Sequence, residues 1–502
     1  MKNVLIYSVC EDFNSLEYAI ENVEAGNNVY LIECDKKQEN CQHNRLGSRL
    51  TCAYCYHSMC GVIKRCGLRN KTHFMRLSDI IEPEDEKTAE EVKVDFNNVQ
   101  ELKNLTHKGA QLGYGAFSSY CTFSRNVMPE ITEEFKKYIR SLFKTEVMIY
   151  EALERLNKKI GFDLIIFHNG RFSQFKPFLE FARLHGINYI ATEVAIRDGR
   201  WLRNDFYNDV PHSIKAIAQK VKKNWDEADP KKREAIGRSF YERRKKGLAA
   251  GDKVFVKDQH IGEMPEEWSD DVENISIFNS SEDEFCAVSK EYDSYLMFPN
   301  QFVALKTIFD HYKDDKTKHF YVRIHPNLKN VPFKSHLALH ELKYDNVTII
   351  PADSTISSYT LLDNSDKIII FGSTMGVEAA YWGKPVIALS KYVYYELDLL
   401  YHPNTPDEIW PLIDNKNLPA KTNDNLIKYG YWLLHPDLPE PTKVPYKYVT
   451  DKVLGHPLMR PTIMKVFGSY KAHIIFKRLL DKAHIFTEFD NLPCTESYKG
   501  KE

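Results

Sequence analysis

Lys367-Ile368-Ile369-Ile370-Phe371-Gly372-Ser373-Thr374-Met375-Gly376-Val377-Glu378-Ala379-Ala380-Tyr381-Trp382-Gly383-Lys384-Pro385-Val386-Ile387-Ala388-Leu389 is the stretch that decides the fold. The unbroken apolar run ending at Phe371 reads as a strand buried on both faces. Gly372 permits a tight turn, Ser373 or Thr374 can cap a helix, Gly383 stops that helix and Pro385 starts the next strand. The N–H groups of the first helical turn have no partner inside the helix, and with the dipole they form an anion site. The dipole alone contributes about 0.3–1 kcal/mol at a surface. The Ser373 and Thr374 hydroxyls add bonds to a phosphate, and Glu378, one turn in, is placed for ribose or sugar hydroxyls. The same residues also read as an ordinary capped turn with no ligand.

Working outward, strand and helix patterns alternate on both sides of this unit. Strands are expected at Val4–Tyr7, Val29–Ile32, Phe162–Phe167 and Tyr189–Ala191 in the first half. The second half adds Lys253–Val256, Ile275–Phe278, Phe320–Ile324, Val347–Ile350, Lys367–Phe371 and Pro385–Leu389. Helices are expected at Ser15–Glu24, Ile131–Asn157 and Phe175–His185 from apolar spacing. Residues 82–101 are acidic and read as an exposed loop or helix. Residues 206–250, rich in Lys, Arg, Glu and Asp, read as exposed linker helices. The expected organisation is therefore an α/β protein with two Rossmann-like βα domains facing a central cleft. Its parts are residues 1–205, a charged helical linker over 206–250, a second βα domain over 251–450, and a closing helix and tail over 451–502. Ligands in such sheets sit at the carboxyl ends of the strands.

Three further segments end strands on that cleft. In Phe320-Tyr321-Val322-Arg323-Ile324-His325-Pro326-Asn327, Pro326 leaves His325 at the strand end, where imidazole can bond a pyrophosphate oxygen, and Arg323 can do so with its planar fork. In Asn279-Ser280-Ser281-Glu282-Asp283-Glu284, Ser281 and Glu282 are candidates for donor sugar or phosphate, and Ser281 with Glu284 also fits a capping box. From the first half, His168, Asn169, Gly170 and Arg171 end one strand and Glu193 follows the next. Asn169, Gly170 and Arg171 are candidates for the acceptor side, and His168 and Glu193 for general base.

The bulk numbers narrow the classes. A length of 502 residues exceeds one ordinary core. A formal net charge of −2 argues against a nucleic-acid partner. No run of about 18 apolar residues suggests a membrane span. The N-terminus reads as a first strand and not as a signal peptide, so a cytoplasmic location is expected, at most peripheral at the inner face of the cytoplasmic membrane. The segment Thr462–Ala483 mixes Lys465, Lys471, Lys477 and Arg478 with Ile463, Phe467, Ile474 and Phe476. It reads first as a closing helix and second as a membrane-surface helix. Ten cysteines in such a chain argue against a disulfide framework. Cys41, Cys52, Cys55 and Cys60 supply four soft ligands for a structural zinc, with Cys66, His43 or His57 as substitutes. An iron–sulfur cluster and free thiols are the other readings.

His325-Pro326 followed by Gly372-Ser373-Thr374-x3-Glu378-x4-Gly383-Lys384-Pro385 resembles the capsule polysaccharide biosynthesis family. These are GT-B-like proteins related in layout to bacterial Kdo transferases and teichoic-acid glycerophosphotransferases. Ser357-Ser358-Tyr359 ahead of a Leu-Leu-Asp helix, the Asn169-Gly170-Arg171 strand end and the early cysteine cluster after Gly26-x-x-Val29 are similar too. The resemblance covers most of residues 1–400. It implies a GT-B-like glycosyltransferase that binds a nucleotide-sugar donor (CMP, CDP, UDP, GDP or dTDP type) in the second domain and a glycan or glycolipid acceptor on the first. On it, His325, Ser373 and Thr374 contact donor phosphate, Glu378 lies near the nucleotide sugar, and catalysis uses no metal or other cofactor. A nucleotide-sugar epimerase, a polyol-phosphate transferase and a non-catalytic polysaccharide-assembly protein fit the same layout.

Overall fold

The computed structural model describes residues 1–9, 12–35, 41, 52, 55–56, 59, 62–64, 66–197, 200–248, 250–251, 259–444, 452–453 and 456–457. The expected strand at 253–256 and helix at 462–483 lie outside these residues.

The first sheet holds β1 (Asn3–Ser8), β2 (Asn28–Glu33), β3 (His73–Arg76), β4 (Leu164–His168), β5 (Asn188–Thr192) and β8 (Phe206–Tyr207). Its order is β3-β2-β1-β4-β5-β8, and only β8 runs antiparallel to its neighbour. Val4, Leu5, Ile6 and Tyr7 are fully buried, because helices cover both faces of a parallel sheet and each face must be apolar. A short hairpin, β6 (Val194–Arg197) with β7 (Arg200–Arg203), follows β5.

The second sheet holds β9 (Glu273–Phe278), β10 (Lys318–Arg323), β11 (Val347–Ile350), β12 (Lys367–Ile370) and β13 (Val386–Ala388). All its pairings are parallel, in the order β11-β10-β9-β12-β13. Both sheets therefore carry the same doubly wound order, with the direction of winding reversing beside the first strand of each. The crevices lie at β1/β4 and β9/β12, where the carboxyl ends of the strands part.

Helices fill the remaining layers: α1 (Phe13–Glu24), α2 (Leu112–Ser124), α3 (Glu133–Ile160), α4 (Lys176–Leu184), α5 (Ile214–Glu227), α6 (Arg233–Lys245), α7 (Gln301–Tyr312), α8 (Ser358–Asn364), α9 (Thr374–Tyr381) and α10 (Asp424–Leu434). The long α3 is set by its ends. Thr132 accepts the Phe135 N–H, and Gly161 closes the helix in the left-handed region. Residues 82–101 form two short helices, Pro83–Glu91 and Val99–Lys103.

The linker differs from expectation. Helix α6 is not simply exposed: it packs against α10 with Phe240 and Tyr241 buried, and Arg244 is buried on Glu378 of α9. Gly237 and Gly430 make the approach close enough, since a Cβ on Gly430 would stand 2.5 Å from the Gly237 carbonyl oxygen. After α10 the chain returns to the first domain. The N–H groups of Thr442, Lys443 and Val444 donate to the Glu17 carboxylate on α1 at 2.6–3.0 Å. Two doubly wound sheets facing one cleft, with the chain crossing back at its end, make a GT-B-like architecture.

Candidate functional site

The crevice of the second sheet is tied together at β9 and β10. The Asn279 side-chain oxygen accepts the His325 N–H at 2.7 Å, which fixes the two strand ends side by side. The loop after β9 is pinned to the start of α7. Ser280 N–H donates to Gln301 Oε1 at 2.9 Å, Gln301 Nε2 donates to the Ser280 carbonyl at 3.0 Å, and Glu282 Oε1 accepts the Gln301 N–H at 2.8 Å.

His325 follows the end of β10. Its Nδ1 accepts the Asn327 N–H at 3.2 Å, which assigns the ring proton to Nε2 as a donor. Burial, with the Arg125 and Arg323 guanidinium groups nearby, pushes its pKa down to about 4. A neutral imidazole therefore offers an N–H to an anionic oxygen at neutral pH.

At β12, Gly372 adopts φ +118°, a region closed to other residues, and the Tyr392 ring packs where a Cβ would be, 2.9 Å away. Ser373 is the cap: its hydroxyl accepts the Met375 N–H at 3.2 Å, and Tyr394 Oη donates to the Ser373 carbonyl at 3.1 Å. Ser373 and Thr374 remain partly exposed at the start of α9.

Three assignments from the sequence need correction. Glu378 is completely buried: Arg244 Nε donates to its Oε1 at 3.0 Å and Tyr359 Oη to its Oε2, so no carboxylate oxygen reaches a sugar. Arg323 is 2% exposed and bonds the Pro351 and Ser354 carbonyls, which removes its fork from the phosphate and fixes the loop after β11. Ser281 is buried and donates to Asp283 at 2.6 Å, which replaces the expected capping box with Glu284 and turns its hydroxyl away from a ligand. Glu282 stays partly exposed and accepts the Gln301 N–H at 2.8 Å.

The first-domain candidates are held within the fold. Asn169, at φ +55°, donates to Glu193 Oε2 at 2.6 Å, and the Val194 N–H donates to Glu193 Oε1 at 3.0 Å. Gly170 follows at φ +83° and turns the chain into Arg171. Arg171 crosses the interface, donating to the Glu284 carbonyl and to Thr122 Oγ1 at 3.0 Å. It ties the two domains together. His168 is partly buried beside Phe175, with Nδ1 buried and unpartnered. Its neighbour Asp12 was missed by the sequence reading, although it follows the first strand and caps α1 through the Ser15 N–H. Burial raises the Asp12 pKa and His168 opposes that rise.

The principal cavity has a volume of about 750 Å³ and lies between the domains. Phe371, Leu389 and Ser390 from the ends of β12 and β13, with Glu282 and Gln301, form one wall. Val99, Lys103, Phe117 and Met128 from the first domain stand opposite. His168 and Glu193 do not line it; Asn169, Gly170 and Arg171 line a separate cavity of about 50 Å³ at the interface. Clamps close the cleft: Asp293 Oδ2 receives Lys103 Nζ and Tyr114 Oη, each at 2.9 Å, and Arg125 Nη1 donates to the Asn327 carbonyl at 2.8 Å. These cross-domain partners carry no local sequence signal, since each pair is separated by nearly 180 residues or more.

Cys41, Cys52 and Cys55 are partly buried and none is in a disulfide, and no three candidate ligands close enough to hold a metal occur among the described residues. Cys60, His43 and His57 lie outside those residues. No described helix is long and apolar enough to cross a membrane.

No protein-family model matches the chain, and no curated protein matches it in sequence. Among solved structures, it is similar to a Thermosulfurimonas dismutans KpsC beta Kdo 2,4 transferase, at 14% identity and a TM-score of 0.35, over 54% of this chain and 79% of that one. It is also similar to a Neisseria meningitidis UDP-GlcNAc 2-epimerase bound to UDP-GlcNAc, at 11% identity and a TM-score of 0.24, over 86% and 98%. A third is CalG4, the calicheamicin glycosyltransferase, at 11% and 0.24, over 87% and 94%. At these scores the likenesses carry no weight of their own; the two-sheet architecture rests on the strand order.

Proposed function

We propose that the protein transfers a sugar from a nucleotide-sugar donor to a surface polysaccharide or lipid-linked glycan. The observation that carries this reading is the cavity of about 750 Å³ at the carboxyl ends of β12 and β13, beside the switch point of the second sheet. Around that switch point the chain offers a phosphate the positive dipole end of α9, the Ser373 and Thr374 hydroxyls and His325 Nε2–H. In this reading the donor phosphates lie against these groups, which stabilise the leaving nucleotide as charge develops on it. Their alignment before reaction is what makes such donors effective, because little reorganisation is needed. The acceptor enters from the first-domain side of the cavity.

The test is incubation of the protein with CMP-, CDP-, UDP-, GDP- and dTDP-sugars, with and without a surface-glycan fraction, followed by chromatography of nucleotide and sugar. Acceptor-dependent release of nucleotide supports transfer. A sugar changed at one centre with the nucleotide still attached identifies the epimerase alternative. Consumption of an added CDP-polyol, with no nucleotide sugar consumed, identifies the polyol-phosphate alternative, and no consumption of any donor favours the assembly role.

A further inference from the structure

The glycosyl-transfer reading leaves the attacking hydroxyl without a proton acceptor, because His168 and Glu193 stand off the cavity. Two carboxylates are found among the described residues that line it, Glu282 and Asp293. Asp293 is committed to Lys103 and Tyr114. Glu282 has no ion-pair partner among the described residues: the Gln301 N–H occupies Oε1 at 2.8 Å, and the residue keeps partial exposure.

We propose that Glu282 accepts the proton of the acceptor hydroxyl bound in this cavity. The proposal rests on the glycosyl-transfer reading and adds the residue that activates the acceptor. In the step, the hydroxyl oxygen forms a bond to the anomeric carbon of the donor sugar. The bond from that carbon to the donor phosphate oxygen breaks, and the electron pair leaves with the nucleotide. The hydroxyl proton passes to the Glu282 carboxylate and later returns to solvent.

Position and electrostatics favour the role. Gln301 N–H holds one oxygen at the start of α7, which fixes the carboxylate on the wall beside β12 and β13. Burial pushes the Glu282 pKa up to about 7, with Asp283 adding to the rise and the Gln301 N–H opposing it. Across the cavity the facing charges are Lys103 and Asp293, which neutralise each other. A carboxylate poised near neutrality is basic enough to accept a hydroxyl proton as it is released, yet remains substantially ionised.

The test compares wild type, Glu282→Gln and Glu282→Asp. Glutamine keeps the shape and the acceptor for Gln301. Nucleotide-sugar binding is measured first by thermal shift, with CMP-, CDP-, UDP-, GDP- and dTDP-sugars as probes. Slow hydrolysis of the bound donor, with water as acceptor, is then followed from pH 5.5 to 9. The expected result is equal nucleotide stabilisation in all three proteins. Wild-type hydrolysis should rise through pH ~7, fall by ~10²–10⁴-fold in Glu282→Gln and partly recover in Glu282→Asp. Wild-type rates and pH profile retained in Glu282→Gln would overturn the assignment. A wild type that neither binds nor consumes any nucleotide sugar would overturn the transfer reading itself, and the assignment with it, before any variant is made.

Discussion

Arg244 Nε donates to Glu378 Oε1 at 3.0 Å, and through this buried pair the linker helix α6 holds the helix whose first turn faces the proposed donor phosphates. Tyr359 completes the cluster on the other carboxylate oxygen. Removing one member leaves a buried charge without its partner. Arg244→Ala should therefore cost about 3–5 kcal/mol in urea unfolding, and Arg244→Met with Glu378→Met should recover much of it. Equal stability of wild type and Arg244→Ala would show that the pair does not anchor α9.

His325 gives a pH signature. The folded chain keeps the imidazole neutral down to about pH 4, while its ordinary value is 6.5. Between those values the unfolded chain binds more protons, so this residue's contribution to stability is present above about pH 6.5 and lost as pH falls towards 4. The loss at pH 5 is on the order of 2 kcal/mol. The Tm of His325→Gln should drop less than that of wild type between pH 7 and pH 5. Parallel drops would mean that the ring is not held neutral.

Gly372 is required twice, by φ +118° and by the Tyr392 ring at 2.9 Å from the missing Cβ. Gly372→Ala should lose about 1–3 kcal/mol of stability. It should also lose most of any stabilisation by nucleotide, because the turn places Ser373, Thr374 and the start of α9. Wild-type nucleotide response in this variant would remove the turn from the donor site.

The four-cysteine reading predicts one zinc per chain by elemental analysis of protein purified without chelator, falling in Cys52→Ser. A metal-free wild type, folded to the same Tm, would contradict it.

Where the sequence could be read and where it could not follows from the range of the interactions. Buried strands such as Val4–Tyr7 and Lys367–Ile370 announce themselves because both faces must be apolar. The ends of α3 are set by local groups, Thr132 and Gly161, and the Ser373 cap is also local. The edge strand His73–Arg76 was not visible, since its exposed face removes the apolar run. The hairpin of β6 and β7 was also missed; the charged Arg197-Asp198-Gly199-Arg200 interrupts its apolar positions. The fates of Glu378, Arg323 and Arg171 were illegible for a different reason. A polar residue at a strand end or first helical turn fits a ligand and a buried partner equally well by pattern. Only the distant partners decide, here Arg244, the Pro351 and Ser354 carbonyls, and the Glu284 carbonyl.

The most direct measurement of the central claim is a thermal-shift titration of wild type and His325→Ala with CMP, CDP, UDP, GDP and dTDP. A ligand that binds the folded state raises its stability by about 2.7 kcal/mol at a hundred times its Kd. The account predicts that one nucleotide class raises the wild-type Tm and that His325→Ala, folded, loses most of that rise. No response to any nucleotide, or an equal response in both proteins, would contradict a donor site built on His325 and the start of α9.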